Sequence, residues 1–133
     1  MIEQTLEEAF PVVASGVKPL GSRILVQIRA PKTKTKSGLI FHHETKDTER
    51  WNTQVAKVID MGPLAFKNRN TMEPWPEGSW CVAGDFVRVP KYGGDRWSVE
   101  VGKDQEPALF VIFNDHDIVG KIDGDPLAIK VFM

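Results

Sequence analysis

The chain has 133 residues, with 17 Lys and Arg against 18 Asp and Glu side chains and a formal net charge of −1. A chain of this length can bury a hydrophobic core without disulfides or a structural metal. Its hydrophobic fraction of 41% and charged fraction of 26% are ordinary for a globular domain. The near-zero charge excludes a general electrostatic attraction to nucleic acid or anionic lipid, so any such binding would have to be local.

The cysteine content and the N-terminus bear on the cellular compartment. Cys81 is the only cysteine, which excludes an intramolecular disulfide and a multi-cysteine zinc site, and its apolar neighbours predict a small buried residue. No apolar run approaches the roughly 18 residues of a membrane-spanning helix. Glu3, Glu7 and Glu8 stand where a secretory signal would be basic and then apolar. We therefore expect a cytoplasmic protein that does not bind membranes.

The chain begins with a weak helical pattern and then becomes strand-like. Ile2, Leu6 and Phe10 are spaced by four, which predicts a short amphipathic helix ending near Pro11. From residue 17 onward the pattern favours a strand that continues through Ile28. Further strands are predicted at 53–61, 85–89, 96–101, 108–113 and 117–122. Six short strands separated by turn residues predict an all-β fold, a small antiparallel barrel.

Residues 37–41 read Ser-Gly-Leu-Ile-Phe and lie inside a long polar, basic stretch that offers them no local apolar cover. Burying Leu39, Ile40 and Phe41 on a partner would contribute about 4.5–9 kcal/mol at 1.5–3 for each side chain. Ordering some six residues would cost roughly 6–12 kcal/mol. We call this polar stretch with its apolar tripeptide the arm. For a single arm, the free energy gained by burial is about equal to the entropic cost of ordering, so we expect several copies to act together on a symmetric oligomer. The alternative is an ordinary strand within this protein's own sheet.

Several segments together resemble the GroES-type co-chaperonins. The resemblance extends from about Val17 to Ile122. The order of the matching segments and their separations along the chain also agree with the family. These parts are Val17-Lys18-Pro19-Leu20-Gly21-Ser22-Arg23-Ile24-Leu25-Val26, Lys36-Ser37-Gly38-Leu39-Ile40-Phe41, the strand from Val55 to Gly62, Gly84-Asp85-Phe86-Val87, Tyr92-Gly93, and the closing strands from Phe110 to Ile122.

The resemblance implies a GroES-like β-barrel that assembles into a seven-fold ring. Such a ring caps a chaperonin during the partner's ATP-driven cycle, encloses an unfolded client protein and performs no chemistry, so neither a cofactor nor a catalytic residue is expected. It further implies a barrel at 17–122, with a mobile loop at about 30–51 and a roof insert at about 62–83. Extensions of 1–16 and 123–133 would flank this barrel.

The same resemblance assigns roles to individual residues. Gly38, Leu39, Ile40 and Phe41 would bind the chaperonin's apical domains, Tyr92 would face the chamber, and Phe66 and Trp75 would belong to the roof. Val17 and Leu20 at one edge would meet Ile118 and Ile122 of the neighbouring subunit and remove both exposed edges.

This sequence also departs from the family pattern. It has extra residues at both ends, a bulky roof rich in Trp and Pro, and Phe41 where smaller aliphatic residues are usual. A virus-encoded member that acts in the host cytoplasm and encloses a bulky client is one hypothesis for these departures. The apolar residues Leu127, Ile129, Val131 and Phe132 in the tail after Ile122 predict one further strand.

Two other functions have some support in the sequence. A single-strand nucleic-acid-binding barrel would combine a cationic groove with aromatic stacking platforms. Its candidate residues are Lys32, Lys34, Lys36, Trp51, Trp75 and Trp97. A metal-dependent enzyme would need three converging ligands, whereas the triplets 42–44 and 115–117 would each supply at most two, because neighbours on a strand face opposite ways. We therefore expect no metal site and no nucleic-acid partner.

Overall fold

A computed structural model of the chain describes residues 6–30, 55–90, 93–102 and 107–128. Within these ranges the chain forms six strands, one four-residue α-helix and two short 3₁₀ turns. The α-helix α1 is Leu6–Ala9, and the 3₁₀ turns are Asp115–Asp117 and Pro126–Ala128. The strands are β1 Arg23–Ile28, β2 Val55–Met61, β3 Phe86–Arg88, β4 Asp95–Val99, β5 Ala108–Asn114 and β6 Gly120–Lys121.

The strands form one antiparallel sheet in the order β4-β5-β1-β2-β3-β6. The central strand β1 pairs with β5 on one side and with β2 on the other, where a bulge shifts the register between Leu25 and Val26. Strands β4 and β6 are the edges of the described sheet. The predicted all-β antiparallel architecture is confirmed.

Both faces of the sheet are covered by apolar residues, which explains the nearly continuous burial of β1. One face carries Ile24, Val26 and Ile28 into the main core, together with Val111 of β5. The opposite face carries Leu25 with Phe110 and other residues into a second cluster. The period-two alternation in β1 therefore separates two apolar clusters instead of separating core from solvent.

Three predicted elements differ from the structure. Residues 17–20 lie outside the strands, and β1 begins only at Arg23. The predicted strand at 117–122 is reduced to the two residues of β6, because the 3₁₀ turn Asp115–Asp117 precedes it. The predicted C-terminal strand is replaced at 126–128 by a 3₁₀ turn, which begins with Pro126, a residue that cannot donate to a ladder. Residues 129–133 lie outside the described ranges.

Candidate functional site: the two ends of the sheet

The segment 31–54 is attached at one end of the sheet. Ile28 pairs with Ala56, and the Arg29 amide donates to the Val55 carbonyl at 2.9 Å. The chain therefore leaves the sheet at Ala30 and returns at Val55, side by side on adjacent strands. We call this pair of attachment points the loop root. Gly38, Leu39, Ile40 and Phe41 belong to the segment between them and lie outside the described residues, so their role stays a prediction.

The other long insert, residues 62–83, begins at the opposite end of the same two strands. Ile24 pairs with Met61 there, and the Gly62 amide donates to the Arg23 carbonyl at 2.8 Å. The rise of about 3.3 Å per residue separates Ile24 from Ile28 by roughly 13 Å along β1. The sheet consequently holds the loop root and the 62–83 insert at opposite ends.

A short hairpin forms the first part of the 62–83 insert. Lys67 and Pro74 form an isolated antiparallel bridge. On the two sides of this bridge, the Asn68 amide donates to the Glu73 carbonyl at 2.8 Å and the Trp75 amide donates to the Phe66 carbonyl at 3.0 Å. The side-chain oxygen of Asn68 accepts bonds from the amides of residues 70 and 71, which closes the tip.

Three aromatic rings fix the base of this hairpin to the core. Phe66 lies 5.4 Å from Trp75 and 5.5 Å from Trp80 between ring centroids, and the two Trp rings are 5.1 Å apart. Phe66 is only 1% exposed and belongs to the main core, whereas Trp75 is half-buried. Of the two residues assigned to the roof, Phe66 therefore lies at the base of the insert. Sequence reasoning missed the exposed Met72 near the tip.

A buried carboxylate holds Phe66 in an unusual backbone conformation. Phe66 has a φ of 58°, in the left-handed region that side chains other than glycine seldom adopt. Its amide donates to Asp115 Oδ2 at 2.9 Å, and Asp115 Oδ1 accepts the amide of His116 at 2.8 Å. Asp115 is itself 3% exposed. The 62–83 insert is thus tied to the turn that follows β5.

The four residues assigned to the subunit interface differ in exposure. Val17 and Leu20 are exposed, as an interface role requires. Ile118 is 5% exposed in the main core, and Ile122 is half-buried against the cluster around Phe10. The outward-facing apolar residue of this segment is Val119, at 66% exposure. The alternation along 118–122 could have identified it.

The segment before β4 contains the last of the predicted site residues, Tyr92. Tyr92 lies outside the described residues, and its chamber-facing role stays a prediction. It directly precedes Gly93 and Gly94, both with a positive φ. A Cβ atom at Gly94 would lie 2.5 Å from a methyl carbon of Val111, so the glycine lets the chain pass close to β5.

The cysteine is buried and poorly suited to nucleophilic chemistry. Cys81 is buried in the main core, as predicted. Burial, followed by the negative charge of Asp85, raises the pKa of the Cys81 thiol to about 11, against an opposing effect of Lys121. Because the thiolate is the reactive form, this thiol is almost entirely unreactive at neutral pH.

The described residues that could support nucleic-acid binding or a metal site are not arranged for either function. Trp97 stacks on Phe110 with a centroid separation of 6.0 Å, and Trp75 packs against Phe66. Neither ring is presented as a free platform for a base, while the lysines of 32–36 and Trp51 lie outside the described ranges. Among described residues, no three His, Cys, Asp or Glu side chains are grouped to hold a metal. In the same ranges, no helix is long and apolar enough to cross a bilayer.

Comparisons with known proteins agree on one family. Residues 16–122 match the family described as the chaperonin 10 Kd subunit. The chain is 33% identical over 112 residues to the mitochondrial 10 kDa heat shock protein of Saccharomyces cerevisiae, covering 84% of this chain and 93% of that protein. It is 32% identical over 111 residues to the co-chaperonin GroES of Cutibacterium acnes, covering 84% of this chain and 99% of the relative.

Proposed function

Because the chain belongs to the chaperonin 10 family and is a co-chaperonin, we propose that it caps a GroEL-type chaperonin through residues Gly38, Leu39, Ile40 and Phe41. The observation that carries this proposal is the position of the loop root. The segment bearing these residues leaves and re-enters the sheet at one end, and the 62–83 insert occupies the other. One end can then bind the chaperonin while the other closes the chamber over an unfolded client.

A ring of identical subunits is part of the same proposal. For one arm alone, the free energy gained by burial is about equal to the entropic cost of ordering. Useful affinity therefore requires several arms that bind one symmetric partner together. The exposed apolar residues Leu20 and Val119, and the edge strands β4 and β6 of the described sheet, support contacts between copies. Seven copies, as the family resemblance implies, would match a seven-fold chaperonin ring.

The proposal assigns this chain no chemistry of its own. Its work is binding, and ATP is consumed by the chaperonin partner. The protein acts in the cytoplasm, or in the host cytoplasm for a virus-encoded member, and needs neither nucleic acid nor a cofactor. The buried, protonated Cys81 is in keeping with this assignment.

The arm is tested by placing a charge at its centre. An Ile40→Asp variant must desolvate a carboxylate wherever wild-type Ile40 is buried on the chaperonin. Since every copy in the ring carries the change, we expect at least about a 100-fold loss of affinity for a GroEL-type chaperonin with nucleotide. Binding is measured by calorimetry, and native mass spectrometry reports the ring and its capped complex together.

The matched control is Thr48→Asp, which introduces the same charge into the same segment outside the apolar tripeptide. It should keep both the ring mass and the chaperonin affinity. Equal affinities for Ile40→Asp and wild type, with intact rings, would remove the arm from the binding site. A wild-type ring that binds no GroEL-type chaperonin in any nucleotide state would contradict the capping function itself.

A further inference from the structure

The N-terminal segment 6–15 precedes the family match, which begins at residue 16, yet it is built onto the sheet. It starts with helix α1 and continues through Phe10 without regular secondary structure. Ala9 and Phe10 are both buried, and the two rings of Phe10 and Phe86 are 5.1 Å apart between centroids. A segment that buries these side chains is part of the packed subunit.

This segment contacts both sides of the loop root. The Ala30 amide donates to the Ala9 carbonyl at 2.8 Å, and Ala30 is the last described residue before the 31–54 segment. Phe10 packs in one buried cluster with Val55, the first described residue after that segment. Two consecutive residues of the N-terminal segment therefore hold the point where the arm leaves and the point where it returns.

The rest of the segment is anchored across the sheet. The buried Gln27 side chain of β1 donates from Nε2 to the Pro11 carbonyl at 2.9 Å. The Trp97 indole of β4 donates from Nε1 to the Ser15 carbonyl at 2.9 Å. Between these bonds, Val13 packs on the cluster that contains Leu25 and Phe110. Because Phe10 touches β3 and Ser15 touches β4, the segment crosses the sheet from one side to the other.

These contacts fix the loop root from outside the two strands that form it. The loop root lies at the ends of β1 and β2, and strand ends fray most easily, so contacts from outside this ladder add to what holds Ala30 and Val55 in place. A root free to fray would add chain to the arm and raise the entropy lost when the arm docks.

We propose that residues 6–15 form a clamp that fixes where and in which direction the chaperonin-binding segment leaves the sheet, so that chaperonin affinity depends on Phe10. This inference rests on the proposed capping function. It assigns the N-terminal extension a role in partner binding that is exerted through the loop root. Phe10 is a positioning residue, and its influence on the chaperonin acts through Ala30 and Val55.

The test compares Phe10→Ala with Val12→Ala, a change two residues away at a side chain that is 96% exposed. Hydrogen exchange is measured at the amides of Ala30 and Val26 in the assembled ring. Chaperonin affinity is measured on the same samples. For Phe10→Ala we expect about 10-fold faster exchange at Ala30, little change at Val26 in the core of β1, and at least about a 10-fold loss of affinity. Val12→Ala should match the wild type in all three quantities.

A merely structural role for Phe10 would give a different pattern. Faster exchange at Ala30 with unchanged affinity would overturn the proposal, as would unchanged exchange at Ala30. If the Phe10→Ala protein does not assemble into rings, the same measurements are made on Phe10→Leu, which keeps most of the apolar volume of the side chain. Its exchange at Ala30 and its affinity must then change together, and a change in either one alone contradicts the clamp. A wild-type ring that binds no chaperonin would instead refute the capping function, whatever the exchange data show.

Discussion

Gly62 lies where the backbone leaves very little room for a side chain. A Cβ atom built there would lie 2.2 Å from the Gly21 carbonyl oxygen and 2.9 Å from the Gly21 carbonyl carbon. That same oxygen accepts the Leu64 amide at 2.9 Å, which starts the 62–83 insert. The turn before β1 and the turn after β2 can approach this closely only because Gly62 has no Cβ.

We therefore expect Gly62→Ala to lower the free energy of unfolding by about 1–3 kcal/mol, since the backbone at Gly21 must move to admit a methyl group. The measurement is urea denaturation followed by tryptophan fluorescence. Gly124→Ala is the matched control, because a Cβ atom there meets nothing within 4 Å. A Gly62→Ala protein as stable as Gly124→Ala would show that the approach of the two turns is not tight in solution.

Individual residues also show where sequence reasoning succeeded and where it failed. Burial of Cys81 was predictable because small apolar-flanked cysteines are usually internal. The assignment of Ile118 and Ile122 to a contact with a neighbouring subunit stays a prediction. Within the subunit, Ile118 is buried and the adjacent Val119 is the exposed apolar residue. The left-handed backbone of Phe66 carries no signal in the sequence, since it depends on Asp115, which is 49 residues away.

At the scale of elements, strands with strong alternation were predicted well and the segments around them poorly. Strands β1, β2 and β5 are central and buried, so their apolar patterns are long. Residues 17–20 and most of 117–122 form no ladder in the described sheet, and propensity alone cannot fix an extended segment. The clamp at 6–15 was unpredictable as well. The spacing of Ile2, Leu6 and Phe10 indicates only a short amphipathic helix. The hydrogen bonds that anchor the segment go to the carbonyl groups of Ala9, Pro11 and Ser15, which no side-chain pattern marks.

One buried carboxylate, Asp115, ties the 62–83 insert to the turn after β5. In Asp115→Ala the Phe66 amide stays buried and loses its acceptor, which should lower the free energy of unfolding by about 1–3 kcal/mol. Exchange at the Phe66 amide should rise more than exchange at Val111 in β5. Urea denaturation and hydrogen exchange measure the two effects.

Asp123→Ala is the control, since it removes an exposed carboxylate from the same part of the chain. Asp115→Asn should recover part of the stability, because an amide oxygen can still accept the Phe66 bond without the added strength of a charged acceptor. If Asp115→Ala leaves hydrogen exchange at the Phe66 amide unchanged, the carboxylate is not what holds the insert in place.

At the scale of the whole molecule, the sheet divides the proposed work between its ends. The loop root and its clamp lie at one end, and the 62–83 insert lies at the other, with the buried strand β1 between them. The described strands leave two edges, β4 and β6, that lack a second strand partner within the described part of the chain. Unpaired edges favour association with another strand. A closed ring would therefore use these edges instead of leaving them open.

The ring is tested at two exposed apolar residues. Leu20 is 65% exposed and Val119 is comparably exposed, so we expect the folded subunit to tolerate an aspartate at either position. In the proposed ring the same aspartate would be buried between copies, and the symmetry would repeat the penalty at every subunit contact. We expect Leu20→Asp and Val119→Asp to shift the native mass from the ring to the monomer, with unchanged circular dichroism. Val12→Asp, at another exposed apolar residue, should keep the ring mass. Rings that persist in both Leu20→Asp and Val119→Asp would place the subunit contacts elsewhere on the sheet.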